Sequence, residues 1–281
     1  MIARARATCP ELAAATGLSL VTVHKEVAEL CRQGELKESG ASRTCGGRPA
    51  KEYEYDARYA RRVLVEIQRQ GMIMRCRQEL ADMQGRTLSV RESVYAALEN
   101  ESMDGWLDET LRRQRIASIA LAFPAGEQRE AMRAHLEQRY VCPVVCMNTA
   151  EALAEEGRDL DFTVYLKQGE PPQCSMRRSG VVQNAFRADL LPLPSPWDTL
   201  DYTDHTLVEE MLARLLQIIV CTSAPSRIVL HSAIWTKRLT ERIRFNTQSK
   251  LRGAAPHLVF RSCSAESARA AVRALAWRLQ S

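Results

Sequence analysis

From residue 63 onward the chain runs twice through one order of elements, and that order confines it to mixed sheets with helices packed on them. Val63–Ile67, Met72–Leu80 and Arg86–Leu88 read as three strands, with Gly71 and Gly85 at the turns. A helical stretch is expected from Val90 to Arg115. The apolar run Ile116–Phe123 before Pro124 reads as a buried strand, followed by a helix over Glu127–Tyr140, a short strand over Val144–Cys146 and a helix over Thr149–Glu156. The second pass gives strands at Asp161–Lys167, Gln173–Arg178 and Val181–Leu190, then a connector stiffened by Pro192, Pro194 and Pro196. Thr206 and Glu209 form a capping-box pattern that opens a helix to about Thr222. Arg227–His231 is a strand, Trp235–Leu251 a helix, His257–Arg261 a strand and Ala265–Leu279 a last helix, with Ala268, Val272, Leu275, Ala276 and Leu279 as its inner stripe. No sequence repeat accompanies the repeated pattern. The expected lobes are 61–157 and 158–281, behind a separate module over 1–60.

That module has a different grammar. Pro10–Thr16 is a short helix with Pro10 in its first turn and Gly17 at its end. Ser19 is a natural N-cap for a second helix to about Gln33, on which Val23, Val27 and Leu30 make one buried stripe. Two short helices joined by a glycine-containing turn form a helix-turn-helix. The second helix starts with an exposed end bearing Val21, Thr22, His24 and Lys25. In such motifs this end enters the major groove of double-stranded DNA. Thr22 and His24 can donate to phosphates, Lys25 can reach phosphate or guanine, and Val21 can touch a thymine methyl. A strand starting near Gly34, a loop carrying Arg43 and Arg48, and a returning strand at Tyr53–Tyr55 then read as a β-wing whose arginines suit the DNA backbone or minor groove.

Composition narrows the class. With 46% hydrophobic and 26% charged residues over 281 positions, the chain is neither disordered nor collagen-like. No stretch approaches a membrane span, and no signal peptide is visible, so a cytoplasmic protein is expected. Nine widely spaced cysteines read as reduced, mostly buried thiols; Cys142 and Cys146 lack the second pair that a zinc site needs. The net charge of +5 resolves into +3 over 1–62, −7 over 63–209 and +9 over 210–281. Lys237, Arg238, Arg242, Arg244, Lys250 and Arg252 in the last part read as a solvated helix face.

Thr16–Leu30 (TGLSLVTVHKEVAEL) and Gly46–Tyr53 (GGRPAKEY) together resemble the winged-helix end of the ROK (repressor, open reading frame, kinase) family of regulators. Ala81–Gly85, Ala120–Pro124, Leu136–Asn148 and Pro225–Leu230 resemble local strings of that family's sugar-kinase domain. The resemblance implies an α/β fold: an N-terminal winged helix-turn-helix followed by a two-lobed actin-like (ribonuclease H-like) ATPase-type domain. One departure is that the family's first helix is represented only by Met1–Ala7.

The resemblance also identifies where kinase chemistry would sit. The family's D-I-G-G-T phosphate loop is matched here by Glu66-Ile67-Gln68-Arg69, so long side chains replace the glycines. The Asp of its N-D-A string is replaced in Asn148-Thr149-Ala150 by a threonine, which cannot act as a base near neutral pH. The second glycine-rich phosphate segment is reduced to Lys167-Gln168-Gly169-Glu170, His231-Ser232 stands where the family has G-G, and the family's cysteine-rich zinc knuckle is missing. No catalytic residue, metal or cofactor is therefore expected. A retained effector site would use Asn148, which matches the family's sugar-binding Asn, and Asp189 in Phe186–Pro192, where the family has a Glu. Arg69, Arg177, Arg178 and Arg187 would suit an anionic effector such as a sugar phosphate, or form a solvated face. His135, His205 and His257 lack ligand-spaced partners. The expected function is a sequence-specific transcription regulator acting as a homodimer or higher homo-oligomer. A divergent sugar or small-molecule kinase and a protein-binding scaffold are the alternatives.

Overall fold

Strand order in the two halves beyond residue 60 is the same. One five-stranded sheet runs β6-β5-β4-β7-β8 and the other β11-β10-β9-β12-β13, so each places its first strand in the middle. The computed structural model describes residues 6–41, 50–70, 73–96, 100–111, 114–123, 127–184, 197, 200–251 and 256–279. In the first sheet β4 (Arg61–Gln70), β5 (Ile73–Ala81) and β6 (Thr87–Tyr95) form an antiparallel meander, and β7 (Ile116–Ala122) and β8 (Val144–Met147) add in parallel. In the second, β9 (Asp161–Tyr165), β10 (Gln173–Arg178) and β11 (Val181–Asn184) repeat the meander, with β12 (Arg227–Ser232) and β13 (His257–Ser262) parallel. The connector with Pro192, Pro194 and Pro196 lies outside the described residues. The parallel strands are joined by helices, as a crossover requires: α4 (Glu127–Tyr140) and α7 (Lys237–Leu251).

The halves exchange helices. α5 (Thr149–Ala154) follows the first sheet but packs on β9 and β10, while α8 (Ala265–Leu279) follows the second sheet and packs on β4 and β8. Their small residues permit this close approach: Ala150 and Ala268 meet around Tyr165 and Cys263, and Ala152 and Ala276 lie in one cluster with Leu64 and Met147. The larger cores lie on the outer faces. α3 (Asn100–Leu111) buries Met103 and Leu107 over the first sheet, and α6 (His205–Ser223) buries Met211, Leu212 and Leu215 over the second. Each such side chain contributes roughly 1.5–3 kcal/mol on removal from water.

Four local expectations need correction. Val90–Tyr95 belong to strand β6, not to a helix, which starts only at Asn100. The edge strand leaves Leu88, Val90 and Val94 exposed, so its alternation never became a clean buried-in, polar-out signal. Thr206 does not cap α6: Asp204 accepts from the Thr206 and Leu207 amides at 3.1 Å each, and Glu209 is buried against Arg242 (2.7 Å) and Asn246. Residues Ala7–Thr8, in the segment that stands where the family has a helix, are a short strand, β1. Leu279 is exposed, whereas the other four residues of the α8 stripe are buried.

Among the described cysteines all thiols are free, with Cys9, Cys76, Cys142, Cys174 and Cys263 buried. No described helix is long and apolar enough to cross a membrane.

Candidate nucleic-acid interface and interlobe cleft

The N-terminal module is built on two capped helices. Thr8 and Glu11 form a reciprocal capping box that opens α1 (Cys9–Thr16): the Glu11 amide donates to Thr8 Oγ1 at 3.4 Å, and the Thr8 amide donates to Glu11 Oε2 at 2.9 Å. The T-C-P-E string carries that signal. Gly17 takes the left-handed conformation (φ 71°) that closes α1. Ser19 then caps α2 (Leu20–Gln33), its Oγ accepting the Thr22 amide at 3.1 Å and lying 2.8 Å from Thr22 Oγ1. Cys9, Val23 and Val27 form the buried cluster of the module, with Leu12, Leu36 and Tyr53 packed against it. β2 (Leu36–Ala41) pairs antiparallel with β3 (Lys51–Tyr55), and β1 adds to the other side of β3.

This packing turns one face of α2 inward and leaves its first two turns bare. Val21 is 80% exposed, and Thr22, His24 and Lys25 are exposed beside it. Elsewhere in the module several charges are paired. Arg6 and Lys37 pair with Glu54 at 3.0 and 3.1 Å, Lys51 with Glu38 at 2.8 Å, and Arg32 with Glu29 at 2.5 Å. Lys25 has no carboxylate partner among the described residues. The helix N-terminus adds its own partial positive charge at the same end. Arg43 and Arg48 lie outside the described residues, in the connection from β2 to β3.

The second site is the junction of the two sheets at the end of β4. Asn148 is buried there as the N-cap of α5: its Oδ1 accepts the Glu151 amide at 2.8 Å, and its Nδ2 has no partner among the described residues. Thr149 donates its amide to Gln173 Oε1 at 2.8 Å. Gln68 from the first sheet accepts from Lys167 Nζ at 2.7 Å, and the same ammonium reaches Glu170 Oε1 at 2.5 Å. Glu170 is 2% exposed; burial pushes its carboxyl above the usual range while Lys167 pulls it back. Burial likewise raises Glu66, against the Arg77 guanidinium at 2.9 Å. These side chains leave a cavity of about 20 Å³ between Glu66, Gln68, Asn148 and Glu170, space for about one water and not for a hexose. Asp189 and Arg187 lie outside the described residues, as does Arg69 beyond its backbone. Arg177 is bound to Glu155, donating to its carbonyl at 2.8 Å, and Arg178 is exposed. His135 pairs with Asp104 at 2.9 Å, tying α4 to α3.

His231, at the end of β12, is buried; burial first and Arg261 second push its pKa from 6.5 down to about 4. The folded chain therefore holds it neutral where the unfolded chain is protonated, and its stability contribution, intact above about pH 6.5, is lost as pH falls toward 4. Replacing His231 by Gln should flatten that part of the stability–pH curve by about 2–3 kcal/mol, measured by urea unfolding from pH 7 to 4.

No protein-family model matches this sequence, and no curated protein does. The fold does have solved relatives. A ROK family transcriptional regulator, a homologue of the E. coli Mlc protein, superposes with a TM-score of 0.54 at 12% identity over 98% of this chain and 92% of its own. A protein of Listeria monocytogenes assigned as an N-acetylmannosamine kinase gives a TM-score of 0.52 at 12% identity over 78% of this chain and 99% of its own. The fold is shared with both. It is a mixed α/β fold built on two five-stranded sheets.

Proposed function

We propose that this chain is a DNA-binding transcription regulator of the ROK type, in which residues 1–60 form a winged helix and the two lobes, 61–157 and 158–281, form a non-catalytic support. The observation that carries the reading is the bare start of α2, where Val21, Thr22, His24 and Lys25, which has no carboxylate partner among the described residues, stand together on a capped helix. Val21 reads a thymine methyl, Lys25 reads phosphate or guanine, and Thr22 and His24 hold phosphates. Ser19 acts by capping the helix that presents them. Arg43 and Arg48 serve as the wing's contacts with the backbone or minor groove. The regulator named above has the same fold over 98% of this chain, the kinase over 78%. That difference favours a regulator with an added module over a kinase alone.

The lobes support the chain rather than transfer phosphate. Gln68, Lys167 and Glu170 cross-link the two halves where a kinase needs an open cradle, and Thr149 offers no base. A cytoplasmic homodimer presenting two recognition helices fits this role, with a sugar or sugar phosphate as effector held by Asn148 and Asp189 once the cleft opens. Selection from random duplexes tests the reading. It should enrich a near-palindromic site with half-sites about one helical turn apart. Enrichment of nothing, together with transfer of phosphate from ATP to a hexose, would establish the kinase reading instead.

A further inference from the structure

A cavity of about 920 Å³ lies where the N-terminal module meets the first sheet and the end of α8, a volume in the range of small-molecule sites. Leu12, Leu30, Leu36 and Tyr53 line it from the module, and Trp277 from α8. Arg62 of β4 lines it too, and it is only 6% exposed. Its Nη1 donates to the Trp277 carbonyl at 3.3 Å, but its buried Nε has no hydrogen-bond partner among the described residues. The nearby Asp82 attracts Arg62 but forms no ion pair with it among the described residues, and its Oδ1 accepts the Gln84 and Arg86 amides at 2.9 Å each. Burial pulls the Arg62 guanidinium below the usual arginine range. A buried cation with no ion-paired carboxylate is costly, and the wall made by the leucines, Tyr53 and Trp277 suits an apolar body, while Arg6, Glu26, Glu54 and Arg86 stand elsewhere on the lining.

We propose that this junction cavity binds a flat, apolar carboxylate, with its rings against Trp277, Tyr53 and the leucines and its carboxylate on Arg62. The guanidinium fork supplies the paired donors that a carboxylate accepts. The occupant would touch the module and the body at once. Binding is a property of the chain without DNA, so it stands apart from the DNA-binding reading.

Calorimetric titration of the full chain with 2-naphthoate and with the neutral 2-naphthalenemethanol tests it. The acid should bind saturably at one site in the micromolar range, and the alcohol at least about tenfold more weakly, because only the acid pairs with Arg62. Arg62→Met should cost the acid about tenfold or more and leave the alcohol unchanged, while Arg62→Lys keeps part of the preference. Leu30→Trp, which fills the cavity from a different element, should block both ligands and covers the case in which the Arg62 variants do not fold. Saturable binding absent up to about 1 mM, equal affinity for acid and alcohol, or an affinity indifferent to these substitutions would each overturn the proposal.

Discussion

Asp161→Ala should lower the unfolding free energy by about 2–4 kcal/mol, seen as an earlier urea midpoint with an unchanged slope. Asp161 opens β9 and is 2% exposed. Its Oδ1 accepts from Arg227 Nε at 2.8 Å, its Oδ2 accepts from Arg227 Nη2, and the Arg158 amide donates to Oδ2 at 2.7 Å. The two residues are direct partners in the parallel register of β9 and β12, so the pair clamps the central strands of the second sheet at their starts. Burial works against the charge, but the Arg227 and Arg158 hydrogen bonds outweigh it and hold the carboxyl below its usual range. Arg227 keeps some contact with water, which places the loss below the full cost of stranding a buried charge. Asp161→Asn should lose roughly half as much, because the Arg158 hydrogen bond survives. The contribution of the wild-type pair is present above the unfolded carboxylate range and disappears as pH falls below it. A loss under about 0.5 kcal/mol would place the clamp among inconsequential surface pairs.

Val27→Asp should abolish DNA binding and leave the melting of the two sheets in place. The module rests on Cys9, Val23 and Val27 with a few partly buried neighbours, and so small a core cannot absorb an unpaired carboxylate costing several kcal/mol. The control is Val21→Ala, on the exposed face of the same helix, which should change stability by less than about 0.5 kcal/mol yet weaken selection of thymine at one position. Circular dichroism melts and gel shifts on the same samples separate the two effects. Full DNA affinity in Val27→Asp would move the reading site elsewhere on the chain.

How far these features were legible in the sequence depends on the range of the interactions behind them. Glu127–Tyr140 and Ala265–Leu279 have the helix bounds their patterns predict, since long apolar periodicity is a local property. The strand β1 has only two residues and exists through its pairing with Tyr53 and Glu52, so nothing at Ala7 announces it. Glu209 shows the converse. Its spacing from Thr206 spells a capping box, but Arg242 and Asn246 on a distant helix claim the carboxylate. Ser19, Thr22 and Lys25 could be read because a cap, a turn and a helix face are local. The link from Gln68 to Lys167 joins residues on different sheets, and the partnerless Nε of Arg62 depends on α8, so no nearby pattern encodes either.

The central claim is that α2 reads DNA through its exposed first turns. The most direct test is the salt dependence of binding of the full chain and of Lys25→Ala to the selected duplex. Log K should fall linearly with log salt in both, with the slope of the variant smaller by about 1, as expected when one phosphate is no longer neutralised by the protein. A slope and affinity identical to the wild type's, or binding indifferent to salt, would contradict it.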